Sequence, residues 1–492
     1  MTSPGRDDSA RPWDLVVIGG GTAGLVAAHT ASSLGATVVL VEEDRTGGDC
    51  LWTGCVPSKA LLAAAHRAQS ARDSGRFGIS VDNVRVDFRA VMAHVQRAIA
   101  SIEPHDSPAT LEAAGVTVIQ GRARLTADGA VEVDGRVLRT RQVVLATGSA
   151  PSVPDVPGLR DAEPLTSDTI WDLDTLPERL TVVGGGSIGC ELGQAFARLG
   201  SRVTVVEQLP RVLAAESEAA SDVVAKALRD DGVQLRTGCA LVRVLGDARS
   251  GSVELDDGST VEHDCLVVAV GRTPRTRDLG LDDAGVQVDE RGHVVVDRAL
   301  RTSVETVWAA GDLTGHPQFT HVAGVHASVA ASNAVLGLRR SAETATVPRV
   351  TYTDPEVAAV GVATDDTARA QGLTVVAHEN ADNDRAVTEG RTDGFARMAL
   401  DRRGRIVGAC VVGPRAGEAL AELTLAQRNG MRTRDLAGAM HPYPTYADGQ
   451  WNAAISDVRE RLSAAPARQV TALMVKARRR WLDRRAAQRN SR

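Results

Sequence analysis

Aromatic side chains are scarce: six Trp, three Tyr and five Phe make up 3% of the 492 residues. So few rings exclude the stacking platforms that bind single-stranded nucleic acid. Positive charge is not in excess either. Fifty-six Lys and Arg against 62 Asp and Glu leave −6, so the chain has no overall basic field for nucleic acid. No apolar run reaches the ~18 residues of a transmembrane helix. The first residues are polar, include Asp7 and Asp8, and lack the apolar core of a secretory signal. Six cysteines over this length are too few and too scattered for a disulfide framework. The cytoplasm is therefore expected, where a close cysteine pair tends to be catalytic. A prior of ~150 residues per domain gives roughly three domains. What the chain has in plenty is glycine, 47 residues, many of them in two loops.

Those loops belong to a pattern that occurs twice. An apolar strand, Asp14–Ile18, runs into Gly19-Gly20-Gly21-Thr22-Ala23-Gly24, a helix to about Leu34, and a second strand ending at Glu42. Later Leu180–Val183 runs into Gly184-Gly185-Gly186-Ser187-Ile188-Gly189, a helix to about Leu199, and a strand ending at Glu207. The acid lies 18 positions after the third glycine in both copies (42 − 24 and 207 − 189). Strand, glycine turn and helix put backbone N–H groups at a helix N-terminus, which suits a pyrophosphate. The three glycines allow the turn, the approach of the phosphate and the packing of helix on strand, and the acid accepts ribose hydroxyls. Two sites of this type imply two dinucleotides. Each copy closes with a further strand and glycine turn, at Gly148 and at Gly271.

Alternating strands and helices imply parallel sheets. From about Arg349 the pattern changes to alternating strands, such as Gly394–Leu400 and Ile406–Val412, followed by a helix near Gly417–Asn429. The expected fold is α/β, with two Rossmann-type domains and a C-terminal α+β domain. The expected division is 1–156 for the first dinucleotide domain, 157–272 for the second, 273–346 for a segment returning to the first, 347–460 for the α+β domain and 461–492 for a tail. The tail holds ten Lys and Arg and one acid, Asp483, so it carries +9 and leaves −15 for the rest. Val470, Leu473, Met474, Trp481 and Leu482 space out among those cations as an apolar stripe. A basic amphipathic helix suits an anionic membrane surface or an acidic partner. A solvated extension, or a helix docked on the chain's own acidic body, fits the same residues.

The one close cysteine pair is Cys50-Leu51-Trp52-Thr53-Gly54-Cys55, followed by Val56-Pro57-Ser58-Lys59. Metal sites usually pair C-x2-C with further ligands at a distance, and no second pair is present. One helical turn brings residues four or five apart close enough to bridge, so a redox disulfide fits better, with two unbonded thiols as the alternative. Lys59, about a turn further on, can lower a thiolate's pKa or balance the charge of a reduced cofactor.

With these residues the chain resembles the class I pyridine nucleotide–disulfide oxidoreductases, the family of dihydrolipoamide dehydrogenase, glutathione reductase and mercuric reductase. DLVVIGGGTAG, GGDCLWTGCVPSK, LATGSAP, VVGGGSIGCELG, VAVGRTP and VWAAGDLTG carry the resemblance, which runs to about residue 455. It implies FAD in the first loop and NADH or NADPH in the second. Glu207 favours NADH, because its carboxylate repels a 2′-phosphate. Cys55 matches the thiol beside the flavin, Cys50 the interchange thiol, Lys59 the lysine near flavin N5, Glu191 its acidic partner, and Asp312 the carboxylate on the ribityl hydroxyls. A homodimer through the C-terminal domain and a small-molecule electron acceptor are implied as well.

The chain departs from its dithiol reductases at the acid–base motif. Where they carry His-Pro-Thr and a Glu, this sequence has Tyr443-Pro444-Thr445 and Asp448, with His441 two places earlier. Tyrosine ionises near pH 10 against ~6.5 for histidine, so it is a poor base at neutral pH, with His441 or water taking over as the alternative. Tyrosine here is similar to mercuric reductase. The sequence ends Arg489-Asn490-Ser491-Arg492, without that enzyme's vicinal cysteines. The expectation is a mercuric-reductase-like flavoenzyme that passes electrons to a disulfide, metal ion or quinone. Dihydrolipoamide dehydrogenase and a non-enzymatic flavin redox sensor are the rival readings.

Overall fold

The computed structural model describes residues 11–490 and contains two compact units. Asp7 and Asp8, together with Ser491 and Arg492 of the tail, lie outside the described residues.

The first unit contains two five-stranded parallel sheets of the same design. One has the order Val307–Ala309, Val143–Leu145, Leu15–Ile18, Val38–Glu42, Val116–Gln120. The other has the order Gln234–Thr237, Arg202–Glu207, Arg179–Val183, Cys265–Val268, Leu165–Thr166. In each, the strand before the glycine loop is central and its two neighbours continue in opposite directions. Each loop therefore sits at the carboxyl end of the sheet where the strand order reverses, the position at which such sheets bind ligands. Val307–Ala309, from the stretch expected to return, takes the outer edge of the first sheet.

The central strand buries both faces, which is why it reads as an unbroken apolar run rather than an alternating one. Leu15 and Val17 point into one cluster and Val16 and Ile18 into another. The first cluster is built largely from alanine. Helix α1 (Thr22–Ser33) contributes Ala23, Ala27, Ala28 and Ala31, and a helix at Thr320–Leu336 contributes Ala323, Ala327, Ala330, Ala331 and Ala334. A chain with few rings fills its interior by close approach of backbones instead.

Five more helices bear on the site and on the end of the chain. They are α2 (Gly48–Trp52), α3 (Cys55–Arg72), α4 (Phe88–Asp106), α5 (Ser187–Leu199) and, with Thr320–Leu336 as α6, α7 (Asp448–Ser463). Helix α3 starts at Cys55, two residues before Pro57. Pro57 does not prevent this, because in the first turn no N–H is needed for an intrahelical bond. Two antiparallel meanders, Ala123–Leu138 and Leu241–His263, were not expected. The first has a local signal: Asp134-Gly135 at its tip both adopt positive φ, 48° and 83°, the geometry of a two-residue hairpin turn.

In the second unit the strands Glu356–Gly361, Ile406–Gly413, Phe395–Leu400 and Thr374–Glu379 form an antiparallel sheet in that order. Ala453 and Ala454 of α7 lie in its core. The basic tail is one helix, α8 (Ala465–Asn490), exposed over residues 468–489. Among the described residues no helix is long and apolar enough to cross a membrane.

Candidate active site

Both glycine loops are closed by backbone contact. At Gly24 an added Cβ would lie 1.8 Å from the Gly19 carbonyl oxygen, and at Gly189 1.9 Å from that of Gly184. No larger residue lets helix and strand meet this closely. The caps of α1 and α5, Gly21 and Gly186, offer no side-chain hydrogen bond, so no cap side chain competes with an anionic ligand for the first-turn N–H groups. Glu42 accepts from the N–H of Gly20 at 2.5 Å and of Asp44 at 2.8 Å. Glu207 repeats this with Gly185 and Leu209, both at 2.7 Å. A carboxylate oxygen has two acceptor sites, so each acid can still take a ribose hydroxyl. Gly148 and Gly271 lie in turns of positive φ after the strands Val143–Leu145 and Cys265–Val268.

Beside the first loop is a cavity lined by Glu42, Arg45, Trp52, Glu103 and Ser107. At the far end of the loop, Gly311 fits between Ala23 and Ala323, where an added Cβ would stand 3.2 Å from the first. The next residue, Asp312, is largely buried, and burial pushes its carboxyl above the usual range. It accepts from Ser149 Oγ at 2.7 Å. An uncapped helix end, a ribose-type acid, a side cavity and a second carboxylate fit a long dinucleotide such as FAD.

The thiols lie on the chain between α2 and α3. Gly54 makes the break: a Cβ there would be 2.7 Å from the Asp49 carbonyl oxygen and 3.4 Å from the Cys50 Cα. The chain therefore folds back and brings Cys50 on α2 to Cys55 at the start of α3. Both are free thiols. Hydrogen bonding from Cys50 brings Cys55 down to about 6, against burial, with help from Thr320 and Lys59. Cys50 is pushed up, chiefly by that same bond. An N-terminal helix position adds a favourable dipole for the thiolate. Thr320 Oγ1 lies 3.3 Å from the Cys55 sulfur. Sequence reading missed this residue, and its only signal is its place soon after Gly311-Asp312.

Lys59, one turn into α3, has its ammonium 2.9 Å from Glu191 Oε2 on α5. Glu191 is 6% exposed and its other oxygen accepts from the Tyr352 N–H at 2.9 Å. The first unit thus joins the helix that opens the second glycine loop to the helix that carries Cys55.

A second charged group adjoins the thiol loop, and of its members only Asp312 had an expected role. Arg272, 16% exposed at its side chain, bonds Asp49, the residue before Cys50. It also donates to Ser149 Oγ at 2.7 Å and to the Ser149 carbonyl at 2.8 Å. Asp168 and Asp312 lie 3.8 and 3.9 Å away. Arg275 adds contacts to Asp49 and Asp168 at 3.5 and 3.8 Å. Trp171 Nε1 holds the same loop by donating to the Thr53 carbonyl at 2.8 Å.

The acid–base motif lies in the second unit. Tyr443 is 69% exposed and its phenol donates to Asp384, which raises the phenol further above its ordinary value. Asp448, expected to orient residue 443, is instead 3% exposed and accepts from the Thr445 N–H at 2.9 Å at the start of α7. His441 Nε2 lies 2.8 Å from Glu422 and Nδ1 3.1 Å from the Ala439 carbonyl, with the ring stacked on Trp451. Among the described residues no three His, Cys, Asp or Glu side chains gather as a metal site.

Twin dinucleotide sheets, with a dithiol beside a Lys–Glu ion pair in the same unit, define a dinucleotide-dependent redox enzyme. The pyridine nucleotide-disulphide oxidoreductase family matches residues 13–327 and its dimerisation domain residues 347–454, and the chain belongs to that family. It is 33% identical to mercuric reductase of Bacillus cereus over 450 residues, 90% of this chain and 71% of the relative. It is 34% identical to dihydrolipoyl dehydrogenase of Chlamydia muridarum over 467 residues, 93% of this chain and 99% of the relative. Among solved structures, the Cu(II) complex of the HOCl-induced flavoprotein disulfide reductase RclA from Escherichia coli superposes with a TM-score of 0.81 at 26% identity, covering 90% of this chain and 99% of that one. The chain is a flavin-dependent pyridine nucleotide-disulfide oxidoreductase of the FAD- and NAD(P)H-using family, with its dimerisation domain.

Proposed function

We propose that this enzyme, as a homodimer, carries electrons from NADH to an acceptor that needs no proton relay, a thiophilic metal ion or a quinone. The observation behind the choice is the C-terminal motif. Tyr443 is engaged with Asp384, Asp448 with Thr445 and His441 with Glu422. Dithiol exchange needs a base for the attacking thiol and an acid for the leaving one, assistance worth ~10²–10⁴-fold. Tyr443 and Asp448, at the base and acid positions of the motif, do not offer it. A metal ion as acceptor accords with the name of mercuric reductase, and RclA forms a complex with Cu(II).

In this reading the N-terminus of α1, with Gly19, Gly21 and Gly24, holds the FAD pyrophosphate, Glu42 the ribose and Asp312 the ribityl hydroxyls. Bound FAD supplies a two-electron relay between nicotinamide and thiols. Gly184, Gly186 and Gly189 hold the nicotinamide dinucleotide. NADH is favoured because Glu207 opposes a 2′-phosphate. Arg211, the next cation along, donates to the carbonyls of Leu213 and Ala214 at 3.4 and 3.0 Å instead. Two electrons and one proton open a Cys50–Cys55 disulfide to the Cys50 thiol and the Cys55 thiolate. The acceptor takes the two electrons back as the disulfide re-forms and the proton leaves.

The tail supports a location for this cytoplasmic enzyme at the periphery of an anionic membrane. Val470, Leu473, Met474 and Trp481 are exposed, and the guanidiniums of Arg478 and Arg485 lie 4.0 and 4.4 Å over the Trp481 ring. The deciding experiment is steady-state turnover of wild type and Tyr443→His with lipoamide, oxidised glutathione, quinones, and mercuric and cupric ions. Wild type is expected to turn over a quinone or a metal ion well above lipoamide. Lipoamide turnover at the quinone level overturns the proposal in favour of dihydrolipoamide dehydrogenase, and no turnover with any acceptor favours a redox sensor.

A further inference from the structure

The Lys59 ammonium has a neighbour on each side. Glu191 Oε2 lies 2.9 Å away, Ser58 Oγ 3.3 Å, and the centre of the Tyr352 ring 4.2 Å. Tyr352 also anchors the pair through its backbone, since its N–H donates to Glu191 Oε1 at 2.9 Å. One residue thus holds the acid with its peptide and the cation with its ring. A cation over a ring face is attracted by the negative quadrupole of that face. A lysine stem is long and loses rotamer freedom when its head is fixed, so a second contact matters more here than for a short side chain.

We propose that Tyr352 is a positioning residue that clamps Lys59 against Glu191 and thereby keeps the positive charge beside Cys55, favouring its thiolate. Cys55 faces the Cys50 thiol from α2, Lys59 from its own helix, Glu191 from α5 and the Thr320 hydroxyl from α6. Lys59 is the only cation of this set. Glu191 opposes the thiolate, so the balance depends on where the ammonium stands between the carboxylate and the sulfur. The ring, rather than the phenol, makes the contact with Lys59. Phenylalanine should therefore substitute and an aliphatic residue should not.

The inference rests on the assignment of Cys55 and Lys59 to the flavin-facing site, but its test does not require turnover. The dithiothreitol-reduced holoprotein is freed of reductant and alkylated with iodoacetamide from pH 5 to 9. Modification at Cys55 is localised by fragmentation of its peptide. Tyr352→Phe and Tyr352→Trp are expected to keep the wild-type midpoint. Tyr352→Leu should raise it by about half a unit, a roughly two-fold loss of thiolate at the wild-type midpoint and about three-fold well below it. Lys59→Met should raise it at least as far. If Tyr352→Leu does not fold, Tyr352→Met serves as the aliphatic variant. A Leu or Met midpoint equal to wild type, or a Phe midpoint displaced as far as theirs, overturns the proposal. Failure of the site assignment has a separate signature, a flavin charge-transfer band that survives Cys55→Ser.

Discussion

Replacing Arg272 by methionine removes the guanidinium that ties Asp49, and with it the start of the thiol loop, to Ser149 and Asp312. Removing one partner of a fully buried ion pair costs ~3–5 kcal/mol. Here Asp49 is 31% exposed and Arg275 still lies 3.5 Å from it, so solvent and the second cation screen part of the loss. The expected destabilisation is about 2–3 kcal/mol at pH 8. The pH dependence has a definite sign. Asp168 and Asp312 already bind protons more tightly than ordinary carboxyls, chiefly through burial, and the loss of Arg272 raises both further. A carboxyl raised in the folded state holds its proton there longer than in the unfolded chain. Stability therefore falls as pH rises from the ordinary carboxyl value, about 4, through the raised one. The deficit of the variant should shrink at pH 5 and reach its full size at pH 8. Urea unfolding at both values, followed by tryptophan emission (Trp171 donates to the Thr53 carbonyl of this loop), measures it. A variant as stable as wild type at pH 8, or a deficit that grows on acidification, refutes the reasoning.

Three further outcomes are expected. The two-electron-reduced enzyme should show a long-wavelength thiolate–flavin band that appears as pH rises through about 6, well below an ordinary thiol, and that Cys55→Ser abolishes; titration of absorbance checks both. NADH should exceed NADPH in kcat/KM, and Glu207→Ala should narrow the ratio by about ten-fold or more, a loss of ~1.4 kcal/mol of discrimination. Removal of α8 should leave flavin reduction unchanged while abolishing co-sedimentation with anionic liposomes, and equal sedimentation of both forms would remove the membrane reading.

Features that depend on short stretches of chain were legible. The glycine loops, their terminal acids and the C-x4-C pair each lie within a few dozen residues, and backbone geometry dictates the residue types. Contacts between distant stretches were not. Arg272 meets Asp49 across 223 positions, and Tyr443 meets Asp384 across 59. No local spacing encodes either. Asp448 shows the opposite difficulty. Its distance from Thr445 suited the family's orienting acid, while in the fold its carboxylate, on the first residue of α7, accepts from the Thr445 N–H and hydroxyl. The exposed length of α8 was readable as charge and apolar period.

The alanine seam between α1 and α6 gives the fold a mechanical property. The two helices begin at the chemistry: α1 at the first glycine loop and α6 at Thr320, whose hydroxyl touches the Cys55 sulfur. Between them stand methyl groups, which have no rotamers with which to absorb an added carbon. An Ala27→Val or Ala327→Val change, with no contact to either thiol, would spread the helices and be felt at the sulfur as a displaced hydrogen bond. The place of the Thr320 hydroxyl at the Cys55 sulfur is thus set partly by spacers buried in the hydrophobic interior, open to tuning in steps of one methyl group.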